Sequence, residues 1–283
     1  MAIDRLQLEV QEGSIYALIG PNGAGKTTLI KLLVNILRPS AGHCMVLDKD
    51  TQRLSPNEYA QIGYVSENQE LPEGMTVDYF LGFLKPFYPK WDDSLATELI
   101  REFQLPRGRR LGQLSRGMKM KAALVSALAY HPRLILLDEP FSGLDALVRD
   151  EFIEGLLERA ADTTILVSSH DLAEVESFAS HVGYMDSGRL QCSEETARLY
   201  ERYREIEIAA GTTLNLPSAW PESWSKPQVS NAVVRFVESE FDANRTPSEI
   251  SQCFPTALNV SMTPMPLREI FVSLARGSRG GAE

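Results

Sequence analysis

Gly20-Pro21-Asn22-Gly23-Ala24-Gly25-Lys26-Thr27-Thr28 lies between an apolar run and a helical pattern, and its spacing decides how the chain folds. It fits G-x-x-x-x-G-K-[ST], the loop that cradles phosphates. Residues 14–19 read as a buried strand running into it. Beyond it Leu29, Leu32, Leu33 and Ile36 recur at helical spacing, with Pro39 as the expected stop. Strand, glycine loop, Lys-Thr and helix together outweigh an ordinary Gly-rich turn. Each residue type has a task. Gly20, Gly23 and Gly25 let the backbone curl with its N–H groups inward, clear of side chains. The helix start adds its partial positive end. Lys26 supplies a full positive charge for the β- and γ-phosphates, and the Thr27 hydroxyl is placed to hold Mg²⁺. The stretch implies a nucleoside triphosphate site.

Working outward, the 283 residues suffice for one large domain, or one domain with an accessory piece. With 43% hydrophobic and 23% charged residues the chain can bury a proper core. A formal net charge of −10 argues against a large nucleic-acid footprint, so no nucleic-acid partner is expected. Cys44, Cys192 and Cys253 are scattered and odd in number, which suits a reducing cytoplasm. No cysteine or histidine falls at metal-ligand spacing. No apolar run reaches the ~18 residues of a membrane span, and residues 1–5 lack the apolar core of a signal peptide.

Leu6, Leu8 and Val10 alternate with polar residues, predicting a half-buried strand before the turn at Glu12-Gly13. Residues 44–47 and 62–65 are further strands. From 76 to about 130 the pattern is helical. Afterwards strand and helix alternate: strand 134–137, helix 147–160, strand 165–168, helix 172–180, and strands 182–185 and 189–192. The fold class is α/β, a P-loop nucleotide-hydrolase core with a helical insert over about 76–130. Past Arg204 prolines interrupt the chain, and the predicted boundary lies near 205. It separates an ATP-binding domain, 1–204, from a small C-terminal accessory region, 205–283. Residues 233–237 are the clearest strand of that region, and Leu267, Ile270, Phe271 and Leu274 suggest a closing helix.

Residues 134–139, Leu-Ile-Leu-Leu-Asp-Glu, form an apolar strand ending in two carboxylates. Such a strand delivers Asp138 rigidly to Mg²⁺ and puts Glu139 where a base or water-orienting group acts. Upstream, Leu114-Ser115-Arg116-Gly117-Met118 opens a helix. Here the chain resembles the ATP-binding-cassette (ABC) family, whose signature is usually Leu-Ser-Gly-Gly-Gln. The order of motifs matches over residues 1 to about 200: P-loop, signature, Asp-Glu strand, Ser142-Gly143-Leu144-Asp145 as the D-loop, and His170 as the switch histidine.

The resemblance implies an ATPase with ATP and Mg²⁺ as cofactors and head-to-tail dimerisation of two cassettes. Each ATP is then held between one P-loop and the partner's Ser115 and Gly117. A separate transmembrane permease follows from the single cassette and the lack of a span. That makes the chain peripheral on the cytoplasmic face of the membrane. The signature resembles those of exporter ATPases, so efflux is the expected direction; the alternative is a soluble, non-transport ABC ATPase. Met75, Phe80, Phe83, Phe87, Tyr88 and Trp91 offer a docking surface in the insert, although most are expected to be insert core. Tyr16 is expected in the core rather than under an adenine, and Asp145 as a helix cap as well as a D-loop residue.

Two positions depart from the family pattern. Members usually place a strand with an adenine-stacking aromatic before the equivalent of Ile3; the favoured reading is that the native start lies upstream. Glu67 stands where a glutamine is usual and is expected to hold a Mg²⁺-bound water, with Gln69 as the rival.

Overall fold

The computed structural model describes residues 2–158, 163–210, 216–217, 219–230 and 232–280. They divide into two compact units, residues 1–190 and 191–283.

The first unit is built on β1 (Ile15–Ile19), α1 (Lys26–Leu33), β2 (Met45–Val46), β3 (Lys49–Asp50), α2 (Pro56–Tyr59), β4 (Ile62–Ser66), α3 (Val77–Leu84), α4 (Asp93–Glu102), α5 (Arg116–Leu128), β5 (Leu134–Asp138), α6 (Ala146–Leu157), β6 (Thr164–Ser169) and β7 (His181–Asp186), and the division falls within β8 (Arg189–Glu195). Its main sheet has the order β4-β5-β6-β1-β7-β8. The β4/β5, β5/β6, β6/β1 and β1/β7 pairs are parallel. Strands β1, β5 and β6 are buried almost throughout, as parallel strands covered on both faces must be. Tyr16, Leu18, Ile30, Leu136, Leu166 and Met185 centre one core cluster. Tyr16 is 1% exposed, a core residue as expected. Its hydroxyl occupies space that only a glycine leaves free: a Cβ on Gly183 would come within 2.2 Å of it.

The helical insert leaves the end of β4 and returns at the start of β5. Its helices start where the sequence supplies caps. Thr76 accepts from the Tyr79 N–H, Asp92 from those of Ser94 and Leu95, and Ser115 from that of Met118. Asp145 caps α6 through the Val148 N–H. Among the insert aromatics Phe80 is buried and Tyr88 stacks on Tyr130 with ring centroids 3.9 Å apart. Phe83 and Phe87 are exposed, their rings 5.6 Å apart.

Three sequence expectations need correction. Residues 5–11 keep the half-buried alternation but form no strand, because no described neighbour lies in ladder register with them. Helix α1 ends at Leu33, not at Pro39. Asn35 adopts φ 55, Ile36 N–H bonds to the Lys31 carbonyl and Asn35 N–H to that of Leu32, a Schellman stop that leaves Ile36 exposed. The helix expected over 172–180 is a single 3₁₀ turn, Leu172–Glu174, followed by turns. Only a few residues separate it from Ser180, whose N–H is fastened to the Ile15 carbonyl beside β1. The helix expected over 147–160 is α6, ending at Leu157; residues 159–160 lie outside the described residues.

The second unit contains α7 (Thr196–Arg202), β9 (Arg204–Ala210), β10 (Trp224–Ser230), β11 (Val233–Glu238), α8 (Arg245–Cys253), β12 (Ala257–Pro264) and α9 (Leu267–Gly280). Its antiparallel sheet runs β10-β11-β9-β12 over a core of Ile206, Ile208, Trp224, Val234, Phe236, Ile250 and Phe254. The buried Glu238 accepts the Trp224 indole N–H at 2.8 Å and the Glu240 N–H at 2.7 Å. The division at Leu190 precedes the boundary expected near 205. Helix α7 accounts for the difference, because it contacts α9 and buries Leu199, both within this unit. Within the proline-interrupted stretch past Arg204, residues 211–215 and 218 lie outside the described residues.

Candidate active site

The loop at residues 20–25 turns from the end of β1 into α1. Gly25 caps the helix at φ 107, a left-handed conformation that a side chain disfavours. Gly20 is required for a different reason than curling: a Cβ there would lie 2.1 Å from the Met185 carbonyl oxygen. Asn22, Gly23, Ala24, Gly25, Lys26, Thr27 and Thr28 line one wall of a cleft of about 260 Å³, and Glu67, Glu139, Ser142 and His170 line it opposite.

Lys26 is 5% exposed, and its ammonium donates to the Gly20 carbonyl at 2.6 Å and the Pro21 carbonyl at 3.2 Å. Glu139 Oε1 lies 3.0 Å from the same ammonium. Glu139 Oε2 meets His170 Nδ1 at 2.7 Å and accepts the His170 N–H at 3.3 Å. One carboxylate thus bridges the P-loop cation and the histidine. Its backbone takes φ 50 directly after β5, an uncommon conformation for a residue with a side chain. The Glu139 N–H donates to Ser168 Oγ at 3.0 Å, which steadies that turn.

Asp138 sits behind this pair, 2% exposed. Its Oδ1 accepts from Thr27 Oγ1 at 3.0 Å and from Ser168 Oγ at 2.9 Å. Burial pushes its carboxyl above the ordinary range, and the two hydroxyl bonds oppose that shift. Hydrogen bonding to Glu139 raises His170. Thr27 and Asp138 present hard oxygens, one of them a carboxylate. That set fits Mg²⁺, which takes few protein ligands and completes its shell with phosphates and water.

Glu67 closes the rim. Its N–H bonds to the Asp138 carbonyl at 2.8 Å. Its Oε1 accepts from Ser142 Oγ at 2.7 Å and from Arg116 Nη2 at 2.9 Å. These two bonds, that of Ser142 first, hold the carboxyl below its ordinary value. Gln69 donates nothing to the phosphate loop; its side-chain oxygen accepts the Ser66 N–H at 3.3 Å.

The fold therefore brings Lys26, Thr27, Glu67, Glu139 and His170 to one cleft, with Asp138 behind it and bonded to Thr27. Ser115 and Gly117 do not line it: Ser115 caps α5, and Gly117 packs against α6, where a Cβ would lie 2.8 Å from Val148. Ser142 and Ser168 escaped the sequence reading as site residues. Their signal was present: Ser142 stands in the D-loop stretch and Ser168 one residue from Ser169-His170.

Fold and cleft together define a P-loop nucleotide hydrolase. The ABC transporter family model matches residues 3–142. The chain is 31% identical over 213 residues to "ABC transporter ATP-binding protein YtrB" of Bacillus subtilis (strain 168), covering 75% of this chain and 73% of that one. It is 35% identical over 208 residues to "Sulfate/thiosulfate import ATP-binding protein CysA 2" of Chromobacterium violaceum, covering 70% of this chain and 56% of that one. A solved structure described as "Structure of ATP binding subunit of ABC transporter" superposes with a TM-score of 0.64 at 28% identity, over 71% of this chain and 86% of that one. The chain belongs to the ABC transporter family and is an ATP-binding, ATP-hydrolysing cassette. Among the described residues no helix is long and apolar enough to cross a membrane.

Proposed function

We propose that the chain powers a transporter whose pathway is formed by a separate membrane permease, through ATP-driven pairing of two copies of this cassette. The observation that carries the catalytic part is Glu139, held between Lys26 and His170 at the mouth of the P-loop cleft. Lys26 and the N-terminus of α1 bind the β- and γ-phosphates. Glu139 orients or deprotonates the attacking water, and His170 holds the carboxylate in place. Thr27 and Asp138 would hold Mg²⁺, with Glu67 acting through a bound water; the ion neutralises charge on the phosphates. Ser115 and Gly117 face the nucleotide of the second copy, at the N-terminus of α5.

The exposed Phe83 and Phe87 support a docking face for the permease, which would bring the chain to the cytoplasmic surface of the membrane. The domain organisation we propose is a cassette followed by an accessory unit that steadies or regulates the pair. Export is the proposed direction, on the signature at 114–118 alone. The name of the CysA 2 relative makes uptake the competing outcome.

The test is direct. The purified chain should hydrolyse ATP only with Mg²⁺, and Lys26→Ala should abolish nucleotide binding. Where a neighbouring reading frame encodes a membrane permease, the chain co-expressed with it should sediment with membranes, and ATP-driven flux in oriented vesicles reports the direction. Wild-type hydrolysis without Mg²⁺, or by Lys26→Ala, would falsify the catalytic assignment. A chain that stays in the supernatant with the permease present removes the transport part.

A further inference from the structure

Three segments meet at a single oxygen. Glu67 Oε1 accepts from Arg116 at the first turn of α5 and from Ser142 in the loop after β5, while Glu67 itself continues β4. The Arg116 guanidinium also lies over Gly143, whose φ is 69 and where a Cβ would stand 3.1 Å from Nη1. Glu67 and Ser142 line the same cleft as Lys26 and Glu139. The lining holds one lysine and one histidine, the histidine bonded to Glu139, against two carboxylates. A polyanion entering such a cleft meets unfavourable charge unless one carboxylate is compensated.

We propose that Arg116 is a positioning residue for nucleotide binding, a charge-paired clasp that fixes Glu67 at the cleft rim and cancels its repulsion of the triphosphate. The proposal rests on the reading of the cleft as the ATP site. A carboxylate has about four acceptor positions, so the clasp leaves Glu67 able to accept further bonds while it is held. Both side chains are partly exposed, Arg116 by 49% and Glu67 by 32%, so salt screens the effect.

The experiment measures the affinity of the full chain for a fluorescent ATP analogue, with EDTA and separately with Mg²⁺. It compares wild type, Arg116→Ala, Arg116→Lys, Glu67→Gln and Arg116→Ala/Glu67→Gln. Metal-free nucleotide carries more negative charge than its magnesium complex and is the sensitive probe. Arg116→Ala should weaken metal-free binding roughly five- to tenfold and magnesium-nucleotide binding about twofold. Arg116→Lys should recover most of the loss, and the loss should shrink in high salt. Arg116→Ala/Glu67→Gln, in which both charges of the pair are gone, should bind within about twofold of wild type. A purely structural Arg116 would leave the double variant as weak as Arg116→Ala, with the same loss in both metal conditions. That result, or an Arg116→Ala indistinguishable from wild type, overturns the clasp. A wild-type chain that binds no nucleotide overturns the reading of the cleft as well, and is evident before any variant is compared.

Discussion

Replacing Glu139 by Gln probes the point where the charges of the cleft converge. Lys26 Nζ and Glu139 Oε1 lie 3.0 Å apart with side chains 5% and 10% exposed. At an effective dielectric constant of about 20 their gross attraction is about 5.5 kcal/mol. Removing one partner of a buried pair outright costs about 3–5 kcal/mol. Gln keeps an acceptor of nearly the same shape, so the expected loss is smaller, about 2 kcal/mol. Without added nucleotide that lowers the midpoint of thermal unfolding by roughly 4–8 °C for a unit of this size. The same contribution returns with opposite sign on binding. A γ-phosphate must take Lys26 away from Glu139 and approach its negative charge, whereas Gln yields the ammonium readily. ATP affinity should rise about thirtyfold while turnover falls at least ~100-fold. Thermal unfolding across an ATP titration reads both effects at once: the variant starts below wild type, and saturating nucleotide closes the gap. A variant as stable as wild type without nucleotide, or one binding ATP within twofold of it, refutes the reasoning.

The pH dependence of stability follows from His170. Its folded-state pKa lies above the ordinary 6.5 because of the bond to Glu139, so its contribution is full below that value and is lost as pH rises through the raised one. The stability gap between wild type and His170→Gln should be widest below pH 6.5 and narrow as pH rises above it. Unfolding midpoints measured on both sides of that pH check it, and a gap that widens with pH contradicts the assignment. Gly183→Ala forces a methyl against the hydroxyl of the buried Tyr16, and should cost about 1–3 kcal/mol in denaturant unfolding. Adding Tyr16→Phe should return part of that loss; no return would mean that the strain lies elsewhere.

The legible part of this molecule was its periodic and motif-bearing part. β1, β5 and β6 are continuous apolar runs, and long runs of that kind fix both element type and burial. Lys26, Asp138 and Glu139 were legible because spacing to a strand end or a loop locates a side chain, and His170 through its place in the motif order that resembles the family's. What spacing cannot carry is contact between distant segments. The Arg116–Glu67 pair joins residues 49 apart, and Ser142 reaches Glu67 from 75 positions away. The residue pattern at 172–180 allowed a helix, but the demand that Ser180 meet Ile15 is made by the sheet. Residues 5–11 failed in the opposite sense: the alternation holds, and a strand still needs a neighbour.

The register of β1 sets a timetable for the chain's synthesis. Ile15 pairs with Ile165 on one side, and Tyr16 with His181 on the other. At about 5–20 residues per second, a ribosome delivers those partner strands roughly seven to thirty seconds after the phosphate loop itself. Through that interval an apolar strand and a glycine loop wait without native neighbours, and pairing over so long a loop is intrinsically slow. Nucleotide cannot rescue the early chain, since the phosphate loop is itself held by late residues: the Gly20 N–H bonds to the Ser169 carbonyl and the Gly188 N–H to the Ala24 carbonyl. Competence to bind ATP therefore arrives as one event near the end of the first unit's synthesis, and residues made among the first become useful among the last.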